Sequence, residues 1–239
     1  MTRIRLSRAE QSARTRTRLV ASARRRFLHD GFHAASLELI AEEAGYTIGA
    51  VYSRFAGKAD LFLAVLDEHV DAIVGRVEEL TARGEPTADR VRQVARMRFE
   101  LLGEARWFPL VLEFLAHAAR DERLLRQFAA RHQRLVDAYA RLIADDYARA
   151  GLPLPLPPEQ LAHAAMAIGN GIAMEQLTQP GRVPDGLLAT TVLAFLRGLP
   201  VDDGAPGGGG SPDPEDDLGH RRPAARPSTP PDPPDRRAP

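Results

Sequence analysis

Ser36-Leu37-Glu38-Leu39-Ile40-Ala41-Glu42-Glu43-Ala44-Gly45-Tyr46-Thr47-Ile48-Gly49-Ala50-Val51-Tyr52-Ser53-Arg54-Phe55 is the stretch that decides how this chain reads. Ser36 is a good N-cap, and a short helix follows it to Ala44. Gly45 supplies the positive φ that a tight turn needs. Thr47 can then cap a second short helix, Ile48 to Phe55. Leu37, Ile40, Ala41, Ala44, Val51 and Phe55 have the spacing to pack the two helices together, and the two alanines are small enough for close approach. Two short helices joined by a tight turn containing Gly form a helix-turn-helix unit, whose second helix enters the major groove of DNA while the first braces it across the backbone. The reading face is short and weakly polar: Thr47, Ile48, Gly49, Ala50, Tyr52, Ser53 and Arg54.

Outward from this unit the apolar residues recur at three and four, and Ala, Leu, Arg and Glu dominate, so the body reads as all-α with about nine helices. Before the unit, a helix runs from about Gln11 to His29, with Leu19, Val20, Ala23, Phe27 and Leu28 on one face, and stops at Asp30-Gly31. After it, Gly57 opens a long helix carrying Leu61, Phe62, Val65, Leu66, Val70, Ile73 and Val77. Further helices are read at about Ala88–Glu104, from near Pro109 to Ala119, Asp121–Ala150, Glu159–Leu177 and Pro184–Arg197. The domain boundaries drawn from this pattern are a basic flexible arm (1–10), a helix-turn-helix domain (11–57), a ligand-binding and dimerisation domain (58–199), and a disordered tail (200–239). From Val201 onward there are ten Pro and six Gly with no aromatic residue, too little apolar surface to offset the entropy of ordering.

The net charge of zero over 239 residues hides an uneven distribution. Residues 1–35 hold nine Arg against Glu10 and Asp30, a net charge of +7. This points to an anionic partner, either nucleic acid or a membrane surface. The arm reads as a contact to the DNA backbone or minor groove, the alternative being a solvated charge run. There is no Cys, which excludes disulfides and thiolate chemistry. No secretory leader and no apolar run long enough for a membrane span is present, so a cytoplasmic, non-membrane protein is expected. A zinc site at His29 and His33 fails because Gly31 breaks the helix between them and no third ligand lies nearby. No phosphate-binding loop, dinucleotide turn, nucleophile elbow or His-Glu-x-x-His motif occurs, so no enzyme, metal or cofactor is expected.

The stretch Ile40-Ala41, Ala44-Gly45, Val51-Tyr52, Phe55, Gly57-Lys58 and Leu61, preceded by Gly31-Phe32 and Ser36, resembles the N-terminal signature of the TetR family of bacterial transcriptional regulators. The resemblance covers residues 11–66 by motif and the later helices by number and order only. It implies nine helices: three for DNA binding, a connector, and a ligand-binding body whose last two helices pair with those of a second copy. It also implies that Ser36, Thr47, Tyr52 and Lys58 contact phosphates while Ile48, Gly49, Ala50 and Ser53 face bases. Ala59 and Gly57 depart slightly from the family pattern, at positions that cap the connecting helix. Lys58 is the single Lys beside 31 Arg, and an ammonium at a helix N-terminus is disfavoured by the macrodipole unless a partner such as a phosphate holds it. Tyr52 reads either as a packing aromatic or as a phosphate contact, or as both.

In the body, Trp107 and Phe108, with Met97, Phe99, Phe114 and the polar Glu113 and His117, are candidates to line a ligand cavity, or are simply core. Phe128, Tyr139, Met166 and Asn170 extend the candidate set. His132 falls on the apolar stripe between Phe128 and Leu135, as a ligand contact or as a satisfied core histidine. The expectation is a repressor, homodimeric through its last two helices, released from a palindromic operator on double-stranded DNA by a small, largely apolar ligand. Ala164, Ala165, Ala167, Gly169 and Gly171 would allow close helix packing in the dimer, with Leu188, Val192 and Phe195 as bulk. The rival readings are a helical protein-interaction scaffold and a DNA-binding regulator without a small-molecule ligand.

Overall fold

The computed structural model describes residues 7–84, 87–101 and 106–198, with the helical backbone alone over 97–101. The described residues form nine helices: α1 (Arg8–Ala34), α2 (Leu37–Glu43), α3 (Ile48–Tyr52), α4 (Lys58–Arg83), α5 (Thr87–Leu101), α6 (Trp107–Ala118), α7 (Glu122–Ala150), α8 (Pro158–Thr178) and α9 (Leu187–Gly198). The all-α class holds, and the reading of 200–239 as a disordered tail lies outside the described residues.

Helix α1 begins three residues before the expected start. The Ser7 hydroxyl accepts from the Glu10 amide while the Glu10 carboxylate accepts from the Ser7 amide, a capping box that brings Arg8, Ala9 and Glu10 out of the expected flexible arm into the helix. At the other end the helix breaks at Gly31, whose φ of 81° and ψ of 170° are non-helical, and a last turn carries Phe32 inward. Helix α2 has Ser36 as its N-cap, and Gly45 takes the turn at φ 78°. Helix α3 is shorter than expected, ending at Tyr52. Thr47 occupies its N-cap position without a side-chain cap bond, and Phe55 is buried where the chain turns towards α4.

Helix α4 is the spine. It packs on α1 at one end and along α7 at the other, and α8 and α9 continue the stack beyond α7. One core joins the reading head to the body. Phe27 and Phe32 of α1 meet Phe62 of α4, with ring centroids 5.4 and 5.5 Å apart, and Phe62 stacks on Phe114 of α6 at 4.2 Å. A second tie between α4 and α7 is ionic, pairing Asp67 with Arg131, Asp71 with Arg134, and Glu78 with Arg141. Helix α7 starts at Asp121, whose carboxylate accepts from the Arg123 and Leu124 amides. Smaller cores lie between α7, α8 and α9, and between α5, α8 and α9.

Candidate nucleic-acid interface and ligand cavity

Helix α3 presents Tyr52 to solvent with 59% of its surface exposed, while Val51, one residue earlier, is fully buried against the head core. Tyr52 is therefore not a packing aromatic in this protein. Thr47, Gly49 and Ser53 are exposed beside it, and Ile48 and Ala50 are half-buried. Arg54 folds back on its own helix: Nη1 donates to the Ala50 carbonyl at 3.1 Å and to the Ser53 hydroxyl at 2.7 Å. The Ser36 hydroxyl accepts from the Leu39 amide and spends its one proton on Glu38 Oε2 at 2.7 Å. Beside the turn, the Thr15 hydroxyl holds the Tyr46 phenol below the usual tyrosine range, with the positive charges of Arg18 and Arg14 adding to the effect.

Lys58 has a partner that the sequence did not indicate. Its Nζ donates to the carbonyls of His33 at 2.7 Å and Ala35 at 3.2 Å and lies 5.2 Å from the centre of the Phe32 ring. These bonds satisfy carbonyls left open at the end of α1 and fasten the α1–α2 turn to the start of α4.

A cavity of about 510 Å³ lies between α4, α6, α7 and α8. Of the ten residues expected to line such a space, Trp107, Phe108, Phe128, His132, Tyr139, Met166 and Asn170 do so. Met97 and Phe99 lie outside the residues whose side chains are described. His117 is a correction. It is exposed on the opposite face of α6, its ring 5.0 Å from that of Phe32 and 6.0 Å from that of His33. The helical period explains this: Glu113, Phe114 and His117 share the face that meets α1, whereas Phe108, Val111, Leu112 and Leu115 share the face that meets the cavity. Glu113 and Phe114 accordingly belong to the junction with the head. Sequence reasoning missed His69, which is buried with its ring 4.0 Å from that of Trp107, and Arg131. The spacing of His69 between Leu66, Val70 and Ile73 was the available signal. Among the described residues no cluster of three His, Cys, Asp or Glu can hold a metal ion, and no helix is long and apolar enough to cross a membrane.

Ala167, Asn170, Gly171, Met174 and Leu177 of α8 are exposed at helical spacing, with Asn170, Gly171 and Met174 also lining the cavity, and Leu187, Thr190, Ala194 and Arg197 of α9 are exposed as well. Leu188 and Gly169, expected at a dimer contact, are turned inward. Leu188 packs in a core with Val91 and Ala95 of α5, and Gly169 is buried.

A family model described as bacterial regulatory proteins, tetR family, matches residues 19–65, and one described as the C-terminal part of BetI-type transcriptional repressors matches residues 87–200. The transcriptional activator FasR of Mycolicibacterium smegmatis is 32% identical over 87 residues, 36% of this chain and 40% of FasR, so the match spans less than half the length of that relative. The regulator TtgR of Pseudomonas putida is 28% identical over 186 residues, 73% of this chain and 85% of TtgR. A solved Mesorhizobium loti structure assigned to TetR-family regulators superposes with a TM-score of 0.65 at 22% identity, over 81% of this chain and 97% of that one, which bears out the fold. The chain belongs to the tetR family of bacterial regulatory proteins.

Proposed function

We propose that this regulator is a repressor that binds a palindromic operator as a homodimer and is released from it by a small, largely apolar ligand seated between α4, α6, α7 and α8. In this reading Ile48, Gly49, Ala50 and Ser53 meet base edges, Arg54 adds to the reading face, and Thr47, Tyr52 and Lys58 meet phosphates, joined by Ser36 when its hydroxyl turns from Glu38. The observation that carries it is that one helix serves both ends. Helix α4 begins at Lys58 against the head and lines the cavity with Leu66, His69, Val70 and Ile73. A ligand that prefers one placement of α4 shifts the population between DNA-competent and DNA-incompetent heads, by no more than its differential affinity for the two. The match of residues 87–200 to BetI-type repressors supports repression over activation.

The test has two steps. Operator sites selected from random duplexes are expected to carry dyad symmetry with half-sites about one helical turn, or a multiple of it, apart. Compounds that quench Trp107, the one tryptophan, are then expected to weaken operator binding by about 5- to 150-fold. Quenching with unchanged operator affinity would leave a pocket that is not a switch.

A further inference from the structure

We infer that the ligand of this cavity is a lipophilic carboxylate whose head group is received by Arg131, in exchange for Asp67. The inference rests on the reading of the cavity as a ligand site and adds the chemical class of what it takes. The ionisable side chains among the described lining residues are Arg131, His69, His132 and Tyr139, and none is Asp or Glu. The permanent charge among these is the Arg131 guanidinium, whose counter-ion Asp67 lies outside the lining residues. A cationic amphiphile entering it would lose water and meet a guanidinium, whereas an anionic one would meet a counter-ion.

Arg131 is only partly provided for. Its Nη1 donates to the Gln127 carbonyl at 2.8 Å and its Nη2 to Asp67 Oδ2 at 2.7 Å, while its Nε is buried with no hydrogen-bond partner. A guanidinium is built to hold a carboxylate through two parallel N–H bonds. Here Asp67 is engaged by Nη2 and also lies 3.8 Å from Arg134, so its charge is shared between two arginines. Solvent does not reach Nε. A small rotation of the guanidinium would turn the Nε edge to an acceptor delivered inside the cavity and loosen the bond to Asp67. Because Asp67 lies on α4 and Arg131 on α7, this exchange removes one rung of the ionic ladder between the helix that leads to the reading head and the body. The aromatic wall of Trp107, Phe108 and Phe128 is left to hold the apolar part of the ligand.

The experiment uses the full chain and three probes of matched shape: phenylbutanoate, phenylbutanamide and phenylbutylammonium, followed by Trp107 fluorescence and by calorimetry. The carboxylate is expected to bind at least about tenfold more tightly than the amide, and the ammonium more weakly than the amide. In Arg131→Gln the ratio of carboxylate to amide affinity should fall to about one. Asp67→Asn breaks the same tie between α4 and α7 but frees the guanidinium, so the carboxylate should bind it more tightly than it binds the parent. Thermal unfolding followed by circular dichroism shows whether each variant is folded. If the amide or the ammonium matches the carboxylate, or if Asp67→Asn weakens the carboxylate as Arg131→Gln does, the assignment is overturned while the cavity reading stands. If no probe binds but other apolar compounds quench Trp107, the carboxylate class alone is overturned. If nothing binds at all, the cavity reading falls with it.

Discussion

The Glu113 carboxylate accepts a hydrogen bond from the backbone amide of Phe32 at 2.9 Å, directly over the break in α1 at Gly31. A Cβ added at Gly31 would stand 2.9 Å from Glu113 Oε1, so the absence of a side chain there is what lets α6 reach the amide. The φ and ψ of Gly31 fall in a region that glycine alone adopts at ease. The opposite face of α6 lines the cavity, and this bond joins that wall to the helix on which the reading head is packed.

Glu113→Ala should cost about 1–3 kcal/mol in urea unfolding, since it leaves the Phe32 amide without its acceptor. Gly31→Ala should cost more, because it adds backbone strain to the collision with Glu113. In the double variant the collision is gone and the strain remains, so the two costs should sum to more than the measured loss. Strict additivity would mean that the two residues do not act on one another.

Lys58→Met should destabilise the head and also weaken binding to every duplex sequence tested, because the ammonium holds the His33 and Ala35 carbonyls whether or not DNA is bound. Tyr52→Phe should weaken DNA binding to a similar degree on all sequences with no change in unfolding midpoint, since the ring is exposed. Unfolding and DNA titration of the two variants separate these outcomes. A Lys58→Met protein of unchanged stability would show that the carbonyl bonds contribute nothing in solution.

The contrast between these two residues shows where the sequence was legible. Helix periods, caps and the positive φ of Gly45 are local, and they placed the helix-turn-helix and most of the later helices within a few residues. The seven recovered cavity residues follow from the same periods. What escaped depends on contacts distant in sequence. The spacing of Glu113, Phe114 and His117 marks a helix face without saying which neighbour it meets, and α1 lies some 80 positions away. Lys58 carried a correct signal, an ammonium needing a partner at a helix start, but the partner in the folded chain is a pair of carbonyls 23 and 25 residues earlier. The helical start of α1 is different, because the capping box Ser7…Glu10 is local and legible in the sequence itself.

Arg90 is 1% exposed and pairs with Asp146, also buried, and with Asp145 at 2.6 Å. Bonds from Arg149 first, and from Arg90 second, hold the Asp145 carboxyl below its ordinary value of 3.8. A carboxyl depressed in the folded state stabilises the fold above its unfolded pKa, and that stabilisation is lost as pH falls through the folded value. Asp145→Asn should therefore lower stability at neutral pH and flatten its acid limb below about pH 4. Arg90→Met should be worse, at about 3–5 kcal/mol, because it strands the buried Asp146. Adding Asp146→Leu should recover much of that loss, and urea midpoints across pH measure all three.

Gly171 provides a test of the dimer, with Ala167 as the control position clear of the cavity that Gly171 also lines. A side chain built at Gly171 meets nothing within 4 Å, and its exposed neighbours Ala167, Met174 and Leu177 complete a stripe on α8 beside the exposed stripe of α9. Gly171→Glu should raise the helix propensity of α8 by about 0.5–1 kcal/mol, so helicity and unfolding midpoint should hold or improve. If two copies meet across these stripes, the same change places like charges facing one another about the dyad of a closed interface. Sedimentation should then show a monomer, and operator affinity should collapse towards that of a single half-site. Ala167→Glu, one turn away on the same exposed face, should behave alike, since the effect belongs to the surface and not to one position. Variants that remain dimeric at micromolar concentration and bind the operator unchanged would move the dimer contact off α8.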